Sequence, residues 1–219
     1  MRMRKKANLE PRMEACAAWQ VKDPVAMKGS WRSLYPQARE LWVEIGCGKG
    51  KFTVETAQAN PDILLIAIER CREAMVMAME KARDMGLTNV FFADLDVALM
   101  EGCFAFGEID RMFINFPDPW PRSKNAKRRL TYHTFLKMYT RVIRDGGEIH
   151  FKTDNAKLFE FTLEELEAVG LPTKNLTRNL HENGIVGIMT GYEEKFHALG
   201  TPINRCEIIC HPIPAEAEA

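Results

Sequence analysis

The chain has 219 residues, of which 46% are hydrophobic and 27% charged, and its 30 basic and 30 acidic side chains cancel to zero net charge. This composition excludes a disordered chain, and the longest apolar run, residues 63–68, is too short to cross a membrane. The length favours one α/β domain whose core needs neither disulfides nor metal.

Residues 1–32 are polar and basic, and we interpret them as a mobile arm whose order depends on a partner. A single domain is predicted for residues 33–213, and residues 214–219 are an acidic, alanine-rich tail. Predicted strands cover residues 41–45, 63–68, 90–93, 111–116, 148–152, 175–180 and 203–211. Predicted helices cover residues 51–60, 73–85, 132–144 and 156–169, and the last three are expected to end at the glycines that follow them, at 86, 146–147 and 170. A further short helix is predicted after a glycine-rich loop at 184–191. Strands alternating with helices indicate a mostly parallel sheet covered on both faces, with ligands bound beyond the carboxyl ends of its strands.

The cysteines predict free thiols in a reducing cytosol, because six of them occur with no CxxC spacing. Cys206, Cys210 and the adjacent His211 could suggest a metal site. Their segment reads as a strand, however, in which Cys206 and Cys210 share an apolar face, so no metal is expected there.

The first predicted strand ends in a glycine-rich loop. Gly46, Gly48 and Gly50 let the backbone turn tightly and approach a ligand. Their G-x-G-x-G spacing differs from the dinucleotide fingerprint and favours a ligand without phosphate, such as S-adenosylmethionine. Glu44 precedes the loop and can accept from a cationic or amino group; its structural alternative is to cap loop N–H groups.

Acidic side chains also end the next two strands. Glu69 lies about 20 residues beyond the loop, where a carboxylate can hold a ribose diol. Asp94 and Asp96 follow the third strand, and either could accept from an adenine amino group. These acidic strand ends suit a cationic sulfonium ligand better than nicotinamide dinucleotide phosphates.

The fourth strand leads into Asn115–Pro121, a loop whose three prolines leave Asp118 and Trp120 few free torsions. Such a loop suits a planar substrate. A basic run follows it: Arg122, Lys124, Lys127, Arg128 and Arg129.

The basic run accounts for the local charge, since residues 111–144 carry nine basic and one acidic side chain, and residues 1–39 carry nine and three. Residues 40–110 and 145–219 each carry six basic and thirteen acidic side chains. The zero net charge is therefore a cancellation, and the basic block beside an aromatic loop indicates phosphates gripped next to a base.

Five motifs occur in one order: EIGCGKG (44–50), NFPDPWP (115–121), KRRLT (127–131), FKTDN (151–155) and TGYEEKF (190–196). Together they resemble the bacterial tRNA (guanine-N7)-methyltransferases of the TrmB family, from about Leu41 to His211. The resemblance implies a Rossmann-like class I methyltransferase fold, with a mostly parallel seven-stranded sheet, an antiparallel last strand and helices on both faces. It also implies a cytoplasmic monomer or homodimer that uses S-adenosylmethionine to methylate N7 of guanine 46 in the variable loop of tRNA.

The resemblance also assigns site residues. Cofactor contacts are implied for the glycine loop and for Glu44, Glu69, Asp96 and Asp118, with Asp118 also catalytic. Contacts to the target guanosine are implied for Arg122, Asp154, Thr190, Gly191, Tyr192 and Glu193. RNA contacts are expected for Lys124, Lys127, Arg128 and Arg129.

The sequence departs from the family pattern at two places. The family usually reads Pro-Lys-Lys-Arg-His where this chain has Pro-Arg-Ser-Lys-Asn at 121–125, and arginine and lysine are not interchangeable at a fixed geometry. The contact implied for Arg122 is therefore open. Asp94 and Asp96 compete for one role.

Three residues have structural alternatives. Thr190 and Glu193 can form a capping box, which need not exclude guanine binding. Asp154 can cap the helix that follows it. His150, flanked by apolar residues in a strand, is expected in the core.

Guanine N7 already presents a lone pair, so its methylation requires alignment rather than a general base. Asp154 and Glu193 can accept from the N1–H and amino groups that distinguish guanine from adenine. Asp118 can stabilise the cationic product ring, and the base is expected to leave its stack. Two alternatives stay open: a class I methyltransferase acting on an amino group of a protein or small molecule, and an inactive RNA-binding module.

Overall fold

A computed structural model describes residues 8–213, which fall into two compact units divided between Phe104 and Ala105. Residues 1–7 of the predicted arm and the predicted tail, residues 214–219, lie outside the described residues. Every helix within residues 8–213 is too short or too polar to span a bilayer.

The first unit contains four parallel strands. They are β1 (Gln20–Val21), β2 (Glu40–Ile45), β3 (Ile63–Ile68) and β4 (Val90–Ala93), in the spatial order β1-β4-β3-β2. Its helices are α1 (Leu9–Ala15), α2 (Lys51–Ala59), α3 (Arg72–Asp84) and α4 (Met100–Cys103). Strand β3 is buried along its whole length, as its unbroken apolar run predicts.

The second unit contains one parallel and two antiparallel pairings among β5 (Ile109–Asn115), β6 (Ile143–Thr153), β7 (Thr173–Thr177) and β8 (Asn204–Ile209). The spatial order is β5-β6-β8-β7; β5 runs parallel to β6, whereas β8 runs antiparallel to both β6 and β7. Its helices are α5 (His133–Val142), α6 (Ala156–Val169) and α7 (Gly191–Ala198).

These elements confirm the α/β class, the mostly parallel strands and the antiparallel last strand. The described residues contain eight strands rather than the predicted seven, because residues 20–21 add β1 beside β4. The segment interpreted as an arm also contains α1, and Arg12 in that helix forms a bidentate ion pair with Glu80 of α3 at 2.6 Å. Its predicted mobility stays a prediction.

Several predicted bounds differ from those of the structure, and one difference has a clear cause in the backbone. The glycine pair at 146–147 was expected to end a helix over 132–144, but α5 ends at Val142 and both glycines lie inside β6. A Cβ at Gly147 would lie 2.9 Å from the carbonyl oxygens of Asp110 and Arg144. This glycine therefore allows a close backbone approach at the irregular start of the β5–β6 pairing.

Candidate active site

The loop after β2 turns on three glycines in the left-handed region. Gly46, Gly48 and Gly50 have φ values of 76°, 56° and 74°. A Cβ added at Gly46 or Gly48 would meet nothing within 4 Å, whereas one added at Gly50 would lie 2.3 Å from the Cβ of Ala78. The first two glycines leave open space beside the loop, and the third allows the start of α2 to approach α3.

Glu69 holds this loop through both of its carboxylate oxygens. Oε2 accepts a hydrogen bond from the Gly48 N–H at 2.9 Å, and Oε1 accepts one from the Cys71 N–H at 2.8 Å. Each carboxylate oxygen can accept a second hydrogen bond, so the side chain retains capacity for a ligand hydroxyl. The residue predicted to bind ribose also fixes the shape of the glycine loop.

Glu44, near the end of β2, is only 2% exposed. Its Oε2 accepts from the Thr53 hydroxyl of α2 at 2.5 Å. Burial, followed by the negative charges of Glu44 and Glu69, raises the pKa of the Cys47 thiol well above its usual value. Cys47 therefore stays protonated and is not a nucleophile.

Asp94 and Asp96 follow β4 and differ in their surroundings. Asp96 Oδ1 accepts from the Ala98 N–H at 3.1 Å and caps a short 3-10 helix, while Oδ2 lies 2.9 Å from Arg70 Nη1. Asp94 is exposed. Asp96 thus has a role in the local fold, and which of the two contacts adenine stays a prediction.

In the second unit, the loop after β5 has left-handed backbone at two residues that are not glycine. Phe116 and Trp120 have φ values of 52° and 41°, and each precedes a proline. Such backbone costs roughly 1–2 kcal/mol per residue, so the surrounding structure must hold it. Asp118 lies between them; it is exposed and forms no hydrogen bond or ion pair with any residue in 8–213. The loop therefore presents a carboxylate that no cation among the described residues neutralises.

The basic run begins at Arg122 and continues through a 3-10 helix, Ser123–Arg128. Four of its cations are exposed and form no ion pair with another residue in the described range: Arg122, Lys124, Lys127 and Arg128. The Arg128 guanidinium lies 4.9 Å from the Trp120 ring centroid, a cation–π contact. Arg129 is instead half-buried and donates to the carbonyl oxygens of Pro119 and Trp120, both at 3.1 Å.

Asp154 follows β6, but it does not cap α6. The cap is the next residue, Asn155, whose side chain accepts from the Leu158 N–H at 2.9 Å. The structural alternative for Asp154 is therefore wrong. Its half-buried carboxylate makes no hydrogen bond or ion pair within residues 8–213, which leaves it available to a ligand.

Thr190 and Glu193 form the predicted capping box at the start of α7. The Thr190 hydroxyl accepts from the Glu193 N–H at 3.0 Å, and Glu193 Oε2 accepts from the Thr190 N–H at 3.1 Å. Glu193 is fully buried, and Lys152 Nζ donates to both of its oxygens, at 3.0 and 2.9 Å. His181 Nε2 lies 2.9 Å from Oε1. The contact predicted between Glu193 and guanosine stays a prediction, but these partners already occupy both carboxylate oxygens.

Lys152 and His181 were not among the predicted site residues. Lys152 also donates to the Ile188 carbonyl at 3.2 Å, and His181 Nδ1 accepts from the Val186 N–H at 3.2 Å. The pair and Glu193 thus fasten the glycine-rich loop before α7. The only available signal was a lysine inside an otherwise buried strand pattern.

The remaining predicted residues of α7 lie at its exposed first turn. Tyr192 is 62% exposed, and its ring stacks 6.5 Å from that of Phe196. Phe196 in turn stacks 6.2 Å from Phe116. A row of aromatic rings therefore runs from the β5 loop to an exposed tyrosine, and Gly191 is exposed beside it.

A second polar cluster lies on the sheet of this unit, where Glu148, His150 and Glu207 have possible ligand atoms within 4.8 Å of one another. Lys174 Nζ lies 2.5 Å from Glu148 and 3.7 Å from Glu207. Burial lowers the pKa of His150 to about 4. Burial acts to raise the pKa of Glu148, but hydrogen bonds from Lys174 and His150 outweigh it and lower the value to about 2. Because these carboxylates already have a cationic partner, we assign the cluster to the stability of the sheet.

Comparisons with known proteins identify the family of the chain and its fold. A family model described as "Putative methyltransferase" matches residues 38–206. A tRNA (guanine-N(7)-)-methyltransferase of Geobacillus kaustophilus (strain HTA426) is 40% identical over 213 residues, covering 97% of this chain and 98% of the relative. A protein of the same name from Bacillus velezensis (strain DSM 23117 / BGSC 10A6 / LMG 26770 / FZB42) is 42% identical over 209 residues, covering 95% and 96%. The crystal structure of the 16S rRNA methyltransferase KamB shares the fold, with a TM-score of 0.64 at 15% identity over 85% of this chain and 94% of that one.

Proposed function

The chain belongs to the family of bacterial tRNA (guanine-N7)-methyltransferases, and from this premise we propose that it methylates N7 of a tRNA guanine, at position 46 of the variable loop. The observation that carries the proposal is the identity of 40% or more with enzymes of that name over at least 95% of the chain. We propose the reducing cytosol as its compartment, since its six cysteines are free thiols.

The first unit fits S-adenosylmethionine as the methyl donor. Gly46 and Gly48 leave open space where a ligand can approach the backbone, and Glu69 retains acceptor capacity for ribose hydroxyls. The acidic side chains Glu44 and Asp96 suit a ligand that carries positive charge and no phosphate. When bound, the sulfonium group supplies an electrophilic methyl group.

The second unit supplies the contacts proposed for RNA. The exposed cations Lys124, Lys127 and Arg128 are available to phosphates, and Arg122 follows the proline loop directly. Phosphate contacts of this kind provide affinity and register rather than base identity. Tyr192 offers an exposed ring on which a displaced base can stack.

Selection of guanine is proposed to depend on Asp154. Its carboxylate is not used to cap α6, because Asn155 does so. A carboxylate accepts hydrogen bonds from the N1–H and amino groups of guanine, which adenine cannot offer at the same edge. Thr190 and Glu193 are proposed to shape the first turn of α7 through their capping box and the buried contact with Lys152.

Asp118 is the proposed catalytic residue. Methylation of N7 needs no proton removal beforehand, and the purine ring becomes cationic as the new bond forms. An exposed carboxylate that pairs with no cation in residues 8–213 stabilises that developing charge more than it stabilises the neutral base, which lowers the barrier. Removing the charge in Asp118→Asn is expected to lower kcat by about 100-fold with little change in tRNA affinity.

Position 46 is tested with two tRNA transcripts that differ only at that nucleotide. The proposal predicts 7-methylguanosine in the transcript with guanine 46 and none in the transcript with adenine 46. Nucleoside mass spectrometry of both digests measures the product. Equal yields from the two transcripts would assign the activity to another guanine.

A further inference from the structure

The guanidinium of Arg129 contacts the proline loop rather than solvent. Its Nε donates to the Pro119 carbonyl and its Nη2 to the Trp120 carbonyl, both at 3.1 Å. Its Cζ lies 4.2 Å from the ring centroid of Phe161, on α6. The arginine therefore spans two segments of the second unit, with its planar fork directed at two consecutive carbonyls.

The chain that follows Arg129 is itself fastened to α6. The hydroxyl of the fully buried Thr131 lies 2.8 Å from that of Thr162. Glu165 Oε2 accepts from the His133 N–H at 2.6 Å and lies 2.8 Å from His133 Nδ1. The backbone next to Arg129 is thus held against α6, and its guanidinium extends from there to the loop.

The contacted part of the loop is the part that needs support. Trp120 has a φ of 41°, which is unfavourable for a residue with a side chain. Its carbonyl and that of Pro119 immediately follow Asp118. With prolines at 117, 119 and 121, the loop has few N–H groups with which to hold itself in place.

We propose that Arg129 is a positioning residue that holds the Asp118 loop, and that it does not belong to the phosphate contacts. The inference rests on the proposed function, since the loop it holds is the proposed catalytic loop. Arg128, its neighbour, is exposed, but its guanidinium lies over the Trp120 ring of the same loop. Lys127 is also exposed and forms no ion pair within residues 8–213, so we take it as the reference for a phosphate contact.

The experiment compares Arg129→Lys and Arg129→Ala with Lys127→Ala in the full-length protein. Lysine keeps the charge of Arg129 but has no planar fork with which to hold two carbonyls. Arg129→Lys is expected to lower kcat at saturating tRNA roughly 10- to 100-fold, because small displacements of a reacting group have effects of that size. The affinity of Arg129→Lys and of Arg129→Ala for tRNA, and the slope of log affinity against log salt, should equal those of the wild type.

Lys127→Ala is expected to show the complementary result. Loss of one phosphate contact should weaken tRNA binding and reduce the salt slope by about 0.7–0.9. Binding is measured by fluorescence anisotropy of labelled tRNA without methyl donor, so this arm needs no turnover. Phe161→Leu is the second variant; it leaves every charge in place and should lower kcat by a smaller factor with an unchanged salt slope.

The outcomes separate the inference from the function on which it rests. A wild-type kcat in both Arg129→Lys and Phe161→Leu would overturn the positioning role while 7-methylguanosine still forms. A salt slope in Arg129→Ala reduced as in Lys127→Ala would overturn it as well. Absence of 7-methylguanosine with the wild-type protein would instead overturn the proposed function. Should Arg129→Lys fail to fold, as judged by circular dichroism, Phe161→Leu decides the matter through its kcat.

Discussion

The third glycine of the loop after β2 is expected to act through packing rather than through a ligand. In Gly50→Ala the new Cβ would lie 2.3 Å from Ala78 Cβ and 2.8 Å from Ala78 Cα, where 3.5–4.0 Å is the usual separation. Ala78 is fully buried in α3 and has no flexible end that could move aside. Overpacking of this kind costs about 1–3 kcal/mol, and the φ of 74° adds about 1–2 kcal/mol. The free energy of unfolding should therefore fall by about 2–5 kcal/mol.

Gly86→Ala is the matched control. Gly86 has a φ of 64° just after α3, and a Cβ there would meet nothing within 4 Å, so only the backbone cost applies. Urea unfolding of both variants, followed by tryptophan fluorescence, measures the difference. Gly50→Ala should be less stable than Gly86→Ala by about 1–3 kcal/mol. Equal stabilities of the two variants would refute the packing role, and Gly50 would then be assigned, like Gly46 and Gly48, to the approach of a ligand.

Three further outcomes follow from the second unit. Glu193→Gln should lower the free energy of unfolding by about 3–5 kcal/mol in a urea titration, because it removes the buried carboxylate to which the Lys152 ammonium donates two hydrogen bonds. Glu194→Gln, at the exposed neighbour, should change it by less than about 0.5 kcal/mol, and equal losses would contradict the buried pairing. The pKa of His150 is lowered from 6.5 to about 4, so between these pH values the unfolded chain binds more protons than the folded chain. This group should therefore lower the free energy of unfolding by about 3 kcal/mol as the pH drops from 7 to 4. His150→Gln should flatten that dependence, and a profile parallel to the wild type at pH 4.5–7 would argue against a neutral His150. Asn155→Ala should lower the free energy of unfolding by about 1 kcal/mol, because it removes the cap of α6. Asp154→Asn should leave the free energy of unfolding unchanged and lower kcat/KM for tRNA. A loss of stability in Asp154→Asn alone would reverse these roles.

Local patterns were enough to predict elements whose burial is continuous. Strands β3 and β4 have the predicted bounds, because apolar runs of that length have few other uses in an α/β protein. The left-handed ends at Gly86 and Gly170 were also predictable from glycine chemistry alone. Gly146 and Gly147 led to a wrong helix end, because glycine also occurs where two backbone segments approach closely. Gly147 lies inside β6 and close to Asp110 of β5, a contact that the local sequence does not reveal.

Contacts between residues far apart in the sequence account for what was missed. Trp31 is fully buried, donates to the Cys103 carbonyl at 2.8 Å and stacks on Phe104, so the segment read as an arm has core partners about 70 residues away. The residues of the candidate site were predicted from the five motifs and the order in which they occur. The hydrogen bonds of Lys152 and His181 with Glu193 could not be predicted in this way. No sequence periodicity connects a lysine in a strand with a capping glutamate 41 residues later.

The central claim is methyl transfer to guanine N7 of tRNA. Purified protein, an unmodified tRNA transcript and S-adenosylmethionine labelled in its methyl group are incubated together, and the digested RNA is analysed by nucleoside mass spectrometry. The account predicts labelled 7-methylguanosine in the wild-type reaction and a strongly reduced yield with Asp118→Asn. Its absence under saturating methyl donor, or a labelled product methylated at another atom, would contradict the account.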